Sequence, residues 1–472
     1  LPHLALYFGV TAGGMVLHTV NPRLFAEQIV YILNHGGGRI LCVDPDLLPI
    51  LEPIADQLTT IEHIVVLCDT DAVPATSLVD LIPFDRLLDR AEPLAAWPAI
   101  DENAASTLCY TSGTTGNPKG VLYSHRSTVL HSYAITAADA MALSARDNIL
   151  LVTPLFHVNA WGVPFAAAMC GAKLVLPGAG LDGASVVAAL RDEAITFSLG
   201  VPTVWFGVLD HLEATTTAAE RAGLSLNRVF TGGAATPRAL ILRFRDLLGV
   251  TVMQAWGMTE TSPVSTVCRP LSHHDGIAPD AHADLMATQG RPLCGVELRI
   301  EGADGTAIPA GSADSGLLKV RGPWVVGAYF GQDAGSALDE DGWFDTGDIA
   351  RIDDDGFLHL TDRAKDVIKS GGEWISSIDL ENAAVAHPAV AEAAVIAVPH
   401  PRWQERPLLL VRTHDGEAVD RAEMLSFLGE RVARWWLPDD VVTVADLPHT
   451  ATGKLLKTAL RDQYRDHLAG AG

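Results

Sequence analysis

Positive charge is scarce in this chain. Its 472 residues carry 33 Lys+Arg against 57 Asp+Glu, a formal net charge of −24. A nucleic-acid binder needs a basic face for the phosphate backbone, and a polybasic membrane-surface protein needs one for anionic lipid, so both classes are excluded. Cysteines are few and scattered: Cys42, Cys68, Cys109, Cys170, Cys268 and Cys294 form no C-x-x-C pair. In a chain of this length they read as core thiols of a reducing compartment, which places the protein in the cytoplasm. No apolar run reaches the ~18 residues that a membrane span needs. The 48% of hydrophobic residues excludes a disordered chain. The final residues, AGAG, do not form a peroxisomal address. The chain opens on Leu1, and residues 5–17 already read as the interior of a domain, so a natural N-terminal segment is expected ahead of it. Net negative charge does not exclude an anionic ligand, because a cluster of amides and one lysine can hold phosphate locally.

Strand-like and helix-like stretches alternate through the first three quarters. Residues 40–44, 63–68, 107–110, 148–152, 173–176, 196–200, 228–231 and 251–255 read as short buried strands. Residues 25–34, 184–193 and 237–248 read as helices, the first stopped by glycines 36–38 and the last with proline at an early helical position. Continuous apolar strands between helices predict covered, mostly parallel sheets. No repeat of fixed period is present. After residue 293 the texture changes: 297–300, 316–320 and 357–361, flanked by Gly/Asp turns, predict an antiparallel meander or small barrel. Beyond 365 come a helix at 378–386, strands at 391–398 and 408–413, and a helix at 421–434. The expected architecture is a large α/β domain (1–361), with layered mostly parallel sheets and a small β-barrel-like subdomain. A hinge (362–365) then leads into a smaller, mobile α+β domain (366–472).

The strongest chemical signal is YTSGTTGNPKGV at 110–121, directly after a predicted strand. Gly113, Gly116 and Gly120 admit close approach of backbone amides to an anion. Thr111, Ser112, Thr114 and Thr115 supply hydroxyls, and Lys119 supplies charge. By composition this is a phosphate cradle, although Lys119 is followed by Gly120 and the spacing is not that of the Walker loop.

The loop resembles the signature of the adenylate-forming superfamily: acyl-CoA synthetases, luciferases and peptide-synthetase adenylation domains. Further segments match that family's motifs in order: GGAATP (232–237), GMTETSP (257–263), FDTGD (344–348), DRAKDVIKSGGE (362–373) and TATGK (450–454). The resemblance implies an ATP- and Mg²⁺-dependent carboxylate–CoA ligase acting in two steps. Attack of a carboxylate on the α-phosphorus of ATP gives an acyl-adenylate, and a thiol then takes the acyl group. It further implies Lys454 as the bridge between carboxylate and α-phosphate, Thr259 as an α-phosphate partner, and Glu260 with Thr115 as Mg²⁺ ligands. Lys119 and its loop would hold the leaving pyrophosphate. Gly233, Ala234 and Ala235, with Trp256, Gly257 and Met258, would face adenine. Asp348 and Arg363 would hold the ribose, Gly371 and Gly372 would line the CoA channel, and Lys365 would be the hinge. Taken singly, Lys454 is an ordinary solvated lysine, Glu260 a helix-start carboxylate and Asp348–Arg363 a surface ion pair. Only their ordered co-occurrence reverses that.

PLFHVNAWG (154–162) and GVPTVW (200–205) resemble the acyl-pocket segments of medium- and long-chain fatty-acyl ligases, with methylthio-propionate ligases in the same neighbourhood. The resemblance puts His157 near the reacting carboxylate and makes Trp205 a gate on the acyl path, although on spacing alone Trp205 is a core aromatic. Trp256 stands where many relatives have Tyr, and Asp345 where many have Arg. The partners implied are a small carboxylic acid, ATP and CoA, with a homodimer by analogy. Two other functions fit the same motifs: loading a separate carrier protein, or non-catalytic nucleotide binding.

Overall fold

The computed structural model describes residues 2–111, 117–370, 373–414, 416–450 and 454–468. A seven-stranded sheet organises the large body. Its order is Arg291–Pro292, Val264–Val267, Thr251–Gly257, Arg228–Thr231, Phe197–Gly200, Asn148–Leu151, Lys173–Val175. The five strands from Thr251–Gly257 to Lys173–Val175 are parallel, whereas at the other end Val264–Val267 runs antiparallel to Thr251–Gly257 and Arg291–Pro292 antiparallel to Val264–Val267. Four of the parallel strands are buried along nearly their whole length, as their unbroken apolar sequences require, whereas the edge strand Lys173–Val175 is partly exposed.

The covering helices follow from spacing. In Pro202–Thr215, Trp205, Val208, Leu209 and Leu212 recur at i, i+3, i+4 and i+7 and are buried. It crosses helix Gly183–Asp192 so closely that a Cβ on Gly183 would lie 2.4 Å from the Gly207 carbonyl. Asp182 caps that second helix by accepting from the Ser185 N–H at 3.0 Å. Helix Arg238–Leu248 buries Leu240, Ile241 and Phe244 and ends on Gly249 at φ +66°.

Two three-stranded sheets flank this core. One is all parallel, Ile40–Val43, His63–Val66 and Leu81–Pro83. The other pairs Leu17–Thr19 in parallel and Gly120–Ser124 antiparallel with Ala105–Tyr110, the strand that feeds the glycine-rich loop. An antiparallel five-stranded sheet follows, in the order Ala307–Ile308, Glu297–Glu301, Gly316–Arg321, Phe344–Ile352, Leu358–Arg363.

The chain leaves that sheet at Arg363 and enters a second five-stranded one at Ile368–Ser370. There Val390–His400 and Gln404–Thr413 pair over ten residues, and their alternating side chains build a core on each face. Val395, Leu409 and Val411 pack with Leu380, Met424 and Leu428 on one side, while Ile396, Leu408 and Leu410 pack with Leu447 and Leu460 on the other. At the crossing the two bodies are tied by hydrogen bonds, one from the Ser376 hydroxyl to the Thr361 carbonyl and one at Asp362. Asp362 is still registered in the five-stranded sheet opposite Ile349, yet its Oδ2 accepts from the Ser377 N–H at 2.7 Å. It thereby caps helix Ser377–Val385, whose positive end favours an anion.

The α/β class and the antiparallel texture after residue 293 match expectation; several boundaries do not. The first predicted helix runs Ala26–Gly36, with Gly37 in the left-handed cap position rather than a stop before Gly36. Pro237 is the N-cap of its helix and not an early helical residue. The helix expected at 421–434 ends at Gly429, and Arg434–Trp436 forms a separate 3₁₀ turn that tucks Trp436 against the core. Phe344–Ile352, which contains the FDTGD motif, is a strand that the sequence pattern did not mark.

Candidate active site

The Ser112, Gly113, Thr114, Thr115 and Gly116 cradle and the Gly371–Gly372 pair lie outside the described residues. The base of the cradle is closed by the Thr111 N–H donating to the Lys119 carbonyl at 2.9 Å and the Lys119 N–H donating to Thr111 Oγ1 at 3.2 Å. Lys119 is exposed, and its Nζ stands 4.7 Å from the centroid of the Tyr329 ring. The Tyr329 hydroxyl donates to Glu260 Oε1 at 2.8 Å. Tyr329 therefore links the loop lysine to the buried carboxylate. It sits in an irregular stretch 69 residues beyond Glu260, with no local pattern to mark it.

Glu260 belongs to the 3₁₀ turn Thr259–Thr261, which follows strand Thr251–Gly257. The turn is tight: a Cβ on Gly257 would lie 1.8 Å from the Pro263 carbonyl, so only glycine fits. Met258 N–H donates to that same carbonyl at 3.2 Å. The Tyr123 hydroxyl donates to the Thr259 carbonyl at 2.6 Å, and the Val326 N–H donates to that of Glu260 at 2.7 Å.

Beside this turn lies a second fixed group. Trp256 Nε1 donates to Asp348 Oδ2 at 2.9 Å, and Arg363 Nε pairs with Asp348 Oδ1 at 2.7 Å. Burial raises the Asp348 pKa, while Arg363, Trp256 and Lys454 oppose the rise. Each carboxylate oxygen keeps acceptor capacity beyond its present partner.

Gly233, Ala234 and Ala235 form the loop between strand Arg228–Thr231 and helix Arg238–Leu248, with Gly233 and Ala234 exposed. Gly233 takes φ +78°, and a Cβ there would lie 3.5 Å from Lys454 Cε. The lysine of the small body thus reaches the Gly233 loop of the large body. Burial and the neighbouring Arg363 charge pull the Lys454 ammonium down to about 8, while Asp348 and Glu260 pull it up and Lys365 pulls it down. Burial, with the charge of Lys454 second, lowers the His157 imidazole to about 3, so that ring is neutral at ordinary pH. Lys365 is pulled down by burial and then by Arg363 and Arg461. The structure therefore gathers Lys454, Glu260, Asp348, Arg363, Gly233, His157 and Lys365 around one place.

Trp205 lies deeper. It is fully buried, with its ring 5.8 Å from that of Phe244, and Nε1 has no hydrogen-bond partner among the described residues. His157 opens an unusual segment: Val158, Asn159, Ala160, Trp161 and Gly162 all have φ between +45° and +73°. Each left-handed L-residue costs about 1–2 kcal/mol. A Cβ on Gly232 would lie 2.8 Å from the Trp161 ring, which places that ring directly against the loop of residues 232–235.

The donor set fits a magnesium ion. Glu260 offers a hard, buried carboxylate linked through Tyr329 to Lys119, and Mg²⁺ commonly takes one or two carboxylates with phosphate and water. Away from the site, His273, His274 and Asp355 place their ligand atoms within 4.8 Å of one another. His274 Nδ1, however, accepts from the Leu271 N–H at 3.1 Å, which leaves the proton on Nε2, pointing at Asp355. Among the described residues no helix is long and apolar enough to cross a membrane.

Comparison with known proteins gives two matching family models. The family described as AMP-binding enzyme matches residues 1–330, and the AMP-binding enzyme C-terminal domain matches residues 379–454. A 3-methylmercaptopropionyl-CoA ligase of Ruegeria pomeroyi is 50% identical over 468 residues, covering 99% of this chain and 86% of that protein. A medium-chain-fatty-acid–CoA ligase of Ectopseudomonas oleovorans is 48% identical over 466 residues, covering 99% and 84%. Among solved structures, an anthranilate CoA ligase in complex with anthranoyl-AMP superposes with a TM-score of 0.85 at 25% identity, covering 98% of this chain and 85% of that one.

Proposed function

The chain belongs to the AMP-binding enzyme family, and from that premise we propose that it is an ATP-dependent carboxylate–CoA ligase whose acid is a fatty acid. The observation that carries the reading is Lys454. A cation from the small body stands at the Gly233 loop among Asp348, Glu260 and His157, where a carboxylate and an α-phosphate would meet.

In the first step a carboxylate oxygen bonds to the α-phosphorus, and the bond from that phosphorus to the pyrophosphate oxygen breaks. Two anions are driven together, and positive charge fixed beforehand lowers that barrier. Lys454 lies between the two reactants, Thr259 hydrogen-bonds the α-phosphate, and Lys119 with Thr111 and the cradle receives the departing pyrophosphate. Glu260, with Thr115 from the cradle, would hold Mg²⁺, which when bound would neutralise phosphate charge. Trp256, Gly257, Met258 and the Gly233–Ala234–Ala235 backbone enclose adenine, and Asp348 with Arg363 holds the ribose. Neutral His157 orients the acid by hydrogen bonding rather than by charge. In the second step the thiol of CoA, delivered past Gly371 and Gly372, bonds to the acyl carbon and AMP leaves.

The resemblance to medium-chain ligases supports the fatty acid, and the 50% identical relative supports a small sulfur-bearing acid as the second choice. A cytoplasmic setting and a homodimer belong to the same reading; fractionation and sedimentation test them. The deciding experiment is ATP–pyrophosphate exchange with acids from propionate to palmitate and with 3-methylthiopropionate, followed by mass detection of the CoA thioester. Exchange and thioester on a fatty acid are expected. Exchange without a CoA thioester would transfer the reading to carrier loading, and no exchange with any acid would refute it.

A further inference from the structure

Residues 158–162 wind left-handed for a full turn, and only one of the five is glycine. L-residues visit that region singly, because Cβ crowds the following carbonyl, so a run persists only where its surroundings over-determine it. Here both ends are clamped. Asn159, a residue type that tolerates this region, is 3% exposed. Its Nδ2 donates to Thr107 Oγ1 at 3.0 Å, and its Oδ1 accepts from Cys109 Sγ at 3.6 Å. Thr19 Oγ1 donates to the Phe156 carbonyl just ahead of the turn at 3.3 Å. At the far end a Cβ on Gly162 would lie 2.8 Å from His131 Nδ1, and His131 is itself fixed because its Nε2 accepts from the Val264 N–H at 3.1 Å.

The clamp joins two parts of the site. Thr107 and Cys109 lie on strand Ala105–Tyr110, which runs into the phosphate cradle. The turn begins immediately after His157, and its Trp161 ring rests against the Gly232 loop. We propose that Asn159 is a positioning residue: by locking this left-handed turn it fixes His157 and Trp161 as the wall on which the acid's carboxyl end seats, and so sets which acids the enzyme accepts. The inference rests on the carboxylate-ligase reading above.

Three variants dissect it. Thr107→Val removes the acceptor with little change of shape. Asn159→Gly keeps left-handed freedom and loses the anchor, and Asn159→Leu loses both. Pyrophosphate exchange across the acid series gives the KM of each acid and of ATP, with a melting curve beside it. Thr107→Val and Asn159→Gly are expected to raise acid KM about tenfold and reorder the acids, with ATP KM within about twofold, as misplacement of one binding wall should. Folded variants that melt earlier yet keep the parent's acid KM and ranking would overturn the proposal, because a purely structural anchor predicts that pattern. If Asn159→Leu fails to fold, the other two decide. An active parent with unmoved variants sinks this inference alone. A parent that exchanges with no acid sinks the ligase reading and the inference together.

Discussion

Asp348 and Lys454, which interact across the candidate site, hold charge in opposite ways. Asp348 is bonded at once to Trp256, on a strand of the seven-stranded sheet, and to Arg363, on the strand paired with its own. Lys454 belongs to the small body and forms no ion pair with the described residues, and its proton is held so weakly that it titrates near 8. The first arrangement is a preorganised cradle that costs no reorganisation at the moment of reaction. The second is a removable charge. On the proposed reading, a group that serves adenylation has to withdraw before the thiol can reach the acyl carbon, and a lysine bonded as firmly as Arg363 could not.

The sharpest way to break this contrast is Lys454→Ala. Loss of one transition-state charge should lower pyrophosphate exchange by about 10²–10³, the scale for a single such donor. Transfer of supplied acyl-adenylate to CoA should stay near the parent rate, and equal loss in both assays would make Lys454 part of the fixed cradle. Next in size is Lys365→Pro. Proline fixes φ near −65° and restricts its predecessor, so it should hold one domain orientation. Exchange should survive within a few-fold, and thioester formation should fall roughly tenfold or more if domain rotation limits it. A folded variant within a few-fold in both assays would remove Lys365 as the pivot.

Tyr329→Phe probes the stationary side. It keeps the ring beneath Lys119 and deletes the hydrogen bond to Glu260. A bond to a charged group is worth about 1.5–3 kcal/mol, so exchange should fall at least tenfold. The Mg²⁺ dependence of ATP binding, read by calorimetry with no acid present, should weaken in parallel. Unchanged Mg²⁺ dependence would reduce Tyr329 to a packing residue.

The gentlest test is pH. In the free enzyme Lys454 is charged below about 8 and neutral above it, so kcat/KM for adenylation should decline on an alkaline limb near that value. Lys454→Arg should carry the limb beyond reach. The stability effect has the opposite sign: an unfolded lysine titrates at 10.5, so between pH 8 and 10.5 the unfolded chain binds the extra proton. Lys454 therefore adds stability as pH rises through that window. A limb that stays in Lys454→Arg belongs to another group.

Local chemistry was what the sequence made legible. The strands that support the site could be read because parallel, doubly covered strands are continuously apolar, and the site motifs because each is a compact run of unusual composition. Phe344–Ile352 escaped because its polar FDTGD half breaks the strand pattern. Tyr329 escaped because its meaning lies in two partners, Lys119 and Glu260, far away along the chain and reached from an irregular loop. The left-handed turn escaped for another reason: PLFHVNAWG has a single glycine, and what overcomes the intrinsic preference of Val158, Ala160 and Trp161 is a buried amide gripping a different strand. Asp362 was read as the start of a hinge, and its hydrogen bond to Ser377 depends on how the chain folds back fifteen residues later.

That last bond bears on any attempt to recombine these enzymes. Asp362 is part of the large body by its strand pairing and part of the small body by the helix it caps, so the two bodies overlap at the crossing instead of meeting at a point. A chimera joined at residue 365 would graft a foreign helix onto a carboxylate shaped for its former neighbour, whereas a junction ahead of Leu358 would carry strand, cap and helix across as one inherited piece.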